Sequence, residues 1–395
     1  MSTAAPHTPR APRTPPTPRL VAVTSTGQVS GAERVLLRTL AAAVDAGWSV
    51  TCVCPDGPIV EQLHGTGAAH VVVPELNLAD GPKPLAALVT ILRWLRAART
   101  LRAAADDADV VLVNALLALP ALRLSRLHRR ARPVPALWLA HDVVVAPGRL
   151  RLYRWCSRAL AAVVGVSDAV VSRLDGADSS GHDTPVLRVV HNGVAFPVEL
   201  AEERTDGPTG SVPVVGLNGL LTPWKGQEVL LDAVPLIDAP VRVEILGGTL
   251  PKDAEYAAGL RRRVDELGID DQVSVLGHSD DPLARMRTWT IAVSASTDPE
   301  ACPLAVLEAM SIGLPVVATD HGGSPEVLDG AGLLVAPRDA AALAAAITRM
   351  VRDVPLRQRS AAQGLTRIGT AHRLDVQTTR LLDVLAEASR EGATA

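Results

Sequence analysis

Two carboxylates, Glu300 and Glu308, bracket a proline and an apolar run in Asp298-Pro299-Glu300-Ala301-Cys302-Pro303-Leu304-Ala305-Val306-Leu307-Glu308-Ala309-Met310. An apolar strand, Thr290 to Ser294, leads into this stretch, so Glu300 falls in a loop. Pro303 suits the first helical position, because its fixed φ fits a helix start and its missing N–H would be unpaired there. Gly313 followed by Pro315 ends the helix. Glu308 then lies near the second turn, and Glu300 hangs over the N-terminus. The positive dipole end at Pro303 and the unpaired N–H groups of Leu304 and Ala305 form a seat for a diphosphate. Carboxylates on both sides of that seat suit a ligand with hydroxyls on either side of a phosphate group. A nucleotide sugar has this form.

Glutamates at this spacing also occur in ordinary acidic helices, where they are solvated. The residues that follow favour a site. Gly313-Leu314-Pro315-Val316-Val317-Ala318-Thr319-Asp320-His321-Gly322-Gly323-Ser324-Pro325-Glu326 reads as a buried parallel strand, Pro315 to Thr319, that ends in a glycine-paired loop. Open α/β sheets bind ligands at such carboxyl edges.

From Glu300 to Glu326 the chain resembles the signature of family 4 of the retaining glycosyltransferases. The resemblance covers nearly everything after the first residues. It takes in Ser30-Gly31-Ala32-Glu33-Arg34-Val35-Leu36-Leu37, His191-Asn192-Gly193-Val194 and Thr222-Pro223-Trp224-Lys225-Gly226-Gln227. Each motif is weak alone; their order is specific. The resemblance implies an α/β chain of the GT-B fold, two doubly wound Rossmann-like domains facing each other across a cleft. It also implies retaining transfer of a sugar from a nucleotide-diphosphate donor, with no cofactor beyond that donor. The acceptor, whether a glycoconjugate, a lipid-linked sugar or a natural product, is not named by the sequence.

Site roles follow from the same resemblance. Lys225 would be the cation on the donor diphosphate, stabilising the charge that grows as the glycosidic bond breaks and so replacing a metal ion. Glu300 would bind hydroxyls of the transferred sugar, and Glu308 the two ribose hydroxyls. His141, at the carboxyl edge of the strand Ala136 to Ala140, would hydrogen-bond the sugar and orient the reaction. The catalytic set is therefore His141, Glu300 and Lys225. The donor-binding set is Gly31, Lys225, Pro303, Leu304, Ala305 and Glu308. Gly31 would let its loop approach the diphosphate closely, with the helix starting near Ala32 pointing its N-terminus at the same charge. No covalent nucleophile is assigned.

The chain leaves the family pattern at two positions. Ser30 stands where the first of two glycines is usual. Leu220, in Gly219-Leu220-Leu221, stands where the family carries an arginine. An arginine–phosphate bond is worth roughly 1.5–3 kcal/mol. Leu220 should therefore weaken donor binding or slow departure of the diphosphate, unless another basic side chain fills the gap. Two alternatives stay open: a catalytically weak nucleotide-sugar-binding protein, which Leu220 suggests, and a non-hydrolysing sugar-nucleotide epimerase.

Composition narrows the classes further. A net charge of −3 with 2% aromatic residues gives no electrostatic or stacking case for nucleic acid. Cys52, Cys54, Cys156 and Cys302 are scattered without zinc spacing and read as reduced core thiols. No metal site is expected, since Asp107-Ala108-Asp109 precedes a strand far from the motifs and reads as a solvated turn. No Gly-x-Gly-x-x-Gly opens either half, which weakens a dehydrogenase reading, and Trp224-Lys225-Gly226 is not a P-loop.

These residues need parallel sheets to position them. Strands and helices alternate throughout, which predicts doubly covered parallel sheets. Residues 1–19, rich in Pro, Thr and Arg, are expected to be a disordered tail and not a signal peptide. Residues 20–197 form the acceptor-side domain, 198–211 a polar linker, 212–372 the donor-nucleotide domain, and 373–395 a helix crossing back to the first domain. The predicted location is the cytoplasm. A belt of Arg123, Arg126, Arg129, Arg130 and Arg132, with Arg149, Arg151, Arg154 and Arg158 further on, reads either as a solvated face or as a peripheral contact with an anionic membrane.

Overall fold

Runs such as Val110–Val113 and Ala136–Ala140 are apolar at every position and buried at every position, as parallel strands covered on both faces must be. In the computed structural model, which describes residues 17–79, 81–126, 134–175, 184–196 and 211–394, such strands build two parallel sheets. The first contains β1 (Arg19–Val23), β2 (Ser49–Cys54), β3 (Ala69–Val72), β4 (Val110–Val113), β5 (Ala136–Ala140), β6 (Ala162–Gly165) and β7 (Val186–Val189), in the order 3-2-1-4-5-6-7. The second contains β8 (Val214–Asn218), β9 (Arg242–Leu246), β10 (Val273–Gly277), β11 (Ile291–Ser294), β12 (Val316–Thr319) and β13 (Gly332–Val335), in the order 10-9-8-11-12-13.

The helices of the first half are α1 (Gly31–Asp45), α2 (Pro58–Thr66), α3 (Lys83–Ala104), α4 (Leu119–Arg126), α5 (Pro147–Ser157) and α6 (Asp168–Leu174). Those of the second are α7 (Gln227–Ala233), α8 (Ala254–Leu267), α9 (Pro282–Met286), α10 (Leu304–Ser311), α11 (Ser324–Leu328), α12 (Ala340–Arg352), α13 (Val354–Ala371) and α14 (Leu374–Thr394). Helix α14 packs against α1 and β4 of the first half, and its Glu387 pairs with Arg188 at 2.7 Å. The crossing is fixed where the Val194 N–H donates to the His372 carbonyl and the Leu374 N–H to the Val194 carbonyl, both at 2.9 Å. Gly193 is required there, since a Cβ would stand 2.6 Å from the Leu374 Cα.

Both strand orders reverse once, between β1 and β4 and between β8 and β11. Adjacent connections leave in opposite directions at such a point and open a crevice beyond the carboxyl ends. The two crevices face each other. The tail expected at 1–19 lies almost wholly, and the linker expected at 198–211 all but its last residue, outside the described residues.

Candidate functional site

In the first domain, β1 runs through a loop into α1, whose first turn is fixed by Glu33. That carboxylate is 4% exposed and accepts from the Ser30 backbone N–H at 3.2 Å and from the Ser30 hydroxyl. The reciprocal arrangement is a capping box, so Ser30, the departure from a paired glycine, serves as the N-cap. Gly31 follows at the exposed tip. A Cβ on it would lie 3.3 Å from Cδ1 of Leu304 in the second domain. The N-termini of α1 and α10 therefore meet across the cleft.

Helix α10 starts one residue later than the sequence suggests. Pro303 has ψ 106° and is the N-cap, not the first helical residue; its carbonyl accepts from the Val306 and Leu307 N–H groups at 3.1 Å. The extended ψ carries the chain up from the Glu300 loop, and the helix proper begins at Leu304. The first-turn N–H groups of Leu304 and Ala305 have no carbonyl within the helix and open toward α1.

Lys225 follows β8 in a short 3₁₀ turn, Pro223–Lys225. Gly226 closes it with φ +70°, and a Cβ there would meet the Ala295 carbonyl oxygen at 1.9 Å. This close approach brings the Lys225 ammonium onto Glu300 Oε2 at 2.6 Å, 4.4 Å over the Trp224 ring. The other Glu300 oxygen accepts from the Ser296 hydroxyl. The Glu300 loop is braced from below by Gly323, whose N–H donates to the Glu300 carbonyl at 2.7 Å. Leu220 is half-buried, and its carbonyl accepts from Gln227 Nε2 at 2.8 Å.

His141 leaves the end of β5 with Nε2 2.9 Å from Asn114 Oδ1. Asn114 turns its amide toward the Ala32 carbonyl, 3.4 Å away, so its oxygen accepts and His141 Nε2 carries the proton. Burial pushes the imidazole down to about 4, and His141 is neutral at pH 7. The next residue, Asp142, forms an antiparallel backbone bridge with Glu300. His141 thus stands beside the Lys225–Glu300 pair.

Glu308 is half-buried on α10. Burial raises its carboxyl above the usual range, opposed by the charges of Arg34 and Arg38 on α1. The structure brings Gly31 against Leu304, Lys225 onto Glu300, and His141 next to the Asp142–Glu300 bridge. Four other residues join them: Asn114 at His141, Ser296 at Glu300, and Arg34 and Arg38 facing Glu308. Asn114 carried a signal, a polar residue directly after the all-apolar β4 at the switch point.

Glu326, quoted above only as part of a motif, closes the cleft from behind. Its two oxygens accept from the Asp168 N–H at 3.1 and 2.9 Å, at the N-terminus of α6 in the other domain, and one also pairs with His191. Burial raises this carboxyl, but the bonds from His191, Asp168 and Ala169 prevail and hold it low. Asn192 Nδ2 donates to the Cys302 carbonyl at 3.2 Å. All four cysteines are free and buried. Of the arginine belt, Arg149, Arg151, Arg154 and Arg158 are exposed, whereas Arg126 is half-buried and donates to the Val134 carbonyl. Arg129, Arg130 and Arg132 lie outside the described residues.

Comparison with known proteins agrees with this architecture. A family model described as Glycosyltransferase Family 4 matches residues 29–195, and one described as Glycosyl transferases group 1 matches residues 212–353. The chain is 33% identical over 180 residues, 42% of its length and 40% of the relative's, to a D-inositol 3-phosphate glycosyltransferase of Stackebrandtia nassauensis. It is 28% identical over 287 residues, 70% of its length and 65% of the relative's, to that of Thermomonospora curvata. The chain thus spans between 40% and 65% of these relatives. Among solved structures, Anabaena Alr3699/HepE in complex with UDP and glucose superposes with TM-score 0.75 at 22% identity, covering 93% of this chain and 99% of that one. Sucrose-phosphate synthase of Thermosynechococcus elongatus superposes with TM-score 0.74 at 20% identity, covering 93% and 98%. With a family 4 domain in front, a group 1 domain behind and two facing parallel-sheet domains, the chain belongs to the family 4 type of GT-B glycosyltransferases.

Proposed function

We propose that this protein is a retaining glycosyltransferase that takes its sugar from a nucleoside-diphosphate donor and needs no metal ion. One observation carries the reading: helix N-termini from two domains meet at Gly31 and Leu304, between Glu300 and Glu308 and beside the Lys225 ammonium. The ribose hydroxyls sit on Glu308, the diphosphate over the N–H groups of Leu304 and Ala305 and against Gly31, and the sugar hydroxyls on Glu300. The anomeric C–O bond breaks, and its electron pair stays on the phosphate oxygen, where Lys225 and both helix ends stabilise it. The acceptor hydroxyl adds from the same face and gives its proton to that oxygen. His141, held neutral by burial, hydrogen-bonds the sugar without placing a cation beside the positive anomeric carbon. The UDP-glucose held by the Alr3699/HepE structure supports the donor class, and the glycosyltransferase activity named for the inositol phosphate relatives supports sugar transfer.

The test is a thermal-shift screen of UDP, GDP and ADP and their sugars, followed by mass detection of glycosylated products in lysate, with and without EDTA. Turnover should survive chelation. Loss with EDTA and recovery with magnesium would overturn the metal-independent account. Saturable binding with no sugar transferred would favour a binding protein, and a new sugar-nucleotide epimer would favour an epimerase.

A specific surface supports an acceptor held at an anionic membrane. Helix α3 presents Leu85, Leu88, Leu92 and Leu95 to solvent at 58%, 53%, 47% and 36% exposure. It carries Lys83, Arg93, Arg96, Arg99 and Arg102 and no acidic residue. Trp155 and the exposed arginines of α5 lie on the same domain. Apolar side chains framed by cations fit the headgroup boundary of an anionic bilayer. No helix among the described residues is long and apolar enough to cross one.

A further inference from the structure

Lys225, the cation expected on the diphosphate, is already in contact with Glu300. Counting the side chains assigned to the donor, one ammonium faces the two carboxylates of Glu300 and Glu308, and position 220 supplies only leucine. A diphosphate entering this set would meet an excess of negative charge, offset by the helix N-termini alone. The α1 helix answers the deficit. Gly31, Arg34 and Arg38 are spaced by three and four residues and share one helix face. Leu304 and Glu308, spaced by four, share one face of α10. Because Gly31 stands against Leu304, Arg34 and Arg38 come to stand opposite Glu308.

We propose that Arg34, contributed by the opposite domain, is the second cation of the diphosphate site, in place of the arginine that position 220 lacks. The proposal rests on the nucleotide-sugar reading of this cleft. Arg34 and Arg38 are not equivalent candidates. Arg38 is half-buried and lines a cavity with Thr39, Leu139 and Asn192. Arg34 is exposed, one turn from the tip of α1, and its side chain forms no hydrogen bond or ion pair with the described residues. Its long side chain can swing from Glu308 toward the α1–α10 junction when ribose hydroxyls take over that carboxylate. A guanidinium there would bind the diphosphate with planar paired donors.

The experiment compares wild type with Arg34→Ala, Arg34→Lys and Arg34→Ala/Leu220→Arg. The probes are whichever of UDP, GDP and ADP binds the wild type most tightly, by calorimetry, and the matching uncharged nucleoside, by ligand-observed NMR. Arg34→Ala should weaken the diphosphate by about ten-fold or more and leave the nucleoside within about two-fold. Lysine should restore part of the affinity, and Leu220→Arg should restore it in the alanine background. Equal loss for diphosphate and nucleoside would mean that Arg34 acts only through Glu308 and would overturn the proposal. Unchanged diphosphate affinity would overturn it while leaving the nucleotide-sugar reading intact. A wild type that binds none of the three diphosphates would overturn both.

Discussion

Glu308 and Leu220 mark the two ends of the donor site where single side chains should have measurable effects. Burial raises the Glu308 carboxyl, and the charges of Arg34 and Arg38 oppose that rise without cancelling it. Glu308→Gln exchanges a two-oxygen acceptor for an amide with one. Donor affinity should fall by roughly 1–3 kcal/mol, and calorimetry that shows no change would remove Glu308 from the site. Leu220→Arg adds a guanidinium in the loop that carries Lys225. Its backbone is already tied down by Gln227, so the substitution should leave the loop in place. Turnover should rise, or donor affinity tighten, by up to about ten-fold. A clear fall in turnover with an unchanged melting temperature would show that the native cation arrangement is complete without it.

Among the elements, α3 is the one whose outward face conflicts with water. A surface helix normally turns leucines inward and charges outward; α3 buries Thr90, Ala97, Ala98 and Leu101 and exposes four leucines. If this face meets lipid, Leu88→Asp with Leu92→Asp should abolish sedimentation with vesicles containing phosphatidylglycerol and leave the fold intact, because both positions are exposed. Binding of the native protein should weaken with salt, since the attraction decays over a Debye length of about 10 Å at 0.1 M. Equal binding to neutral and anionic vesicles would remove the arginines from the contact, and no binding at low salt would return both α3 and the arginines to solvated surface. Elements were the scale at which local sequence spoke most clearly. The apolar runs Ala136 to Ala140, Thr290 to Ser294 and Pro315 to Thr319 each match a strand to within a residue, because interior strands of a parallel sheet are covered on both faces. Pro303 is the N-cap of α10 and not its first helical residue; a proline at either position looks alike in sequence, and only ψ separates them.

For the whole molecule, stability depends on a junction that must stay neutral. His372 is fully buried, donates to the Asn192 carbonyl at 3.1 Å, and is pushed down by burial to about 4. His141 is pushed down to about 4 as well. Both depart downward from an ordinary value of 6.5. Between these values the unfolded chain binds protons that the folded chain does not, so stability rises with pH across that window. Acidification from about 6.5 toward 4 should therefore lower the melting temperature, at a cost of order a few kcal/mol. Glu326, whose carboxyl is held low, adds a further loss below the ordinary carboxylate range. A melting temperature constant from pH 7 to pH 4.5 would contradict this account.

By itself the sequence determined the alternation of strands and helices, the glycines and prolines that end them, and the chemical types present at the strand ends. Each of these follows from interactions within a few residues, where φ restrictions and the strand and helix periods act. The tertiary structure decided which of those ends face each other. Glu326 caps a helix 158 residues away, Gly31 meets Leu304, Arg34 and Arg38 act on Glu308, and Asn114 orients His141. These pairings join residues far apart in sequence: the first three depend on how two separately wound sheets dock, and the last on β4 and β5 lying side by side in one sheet.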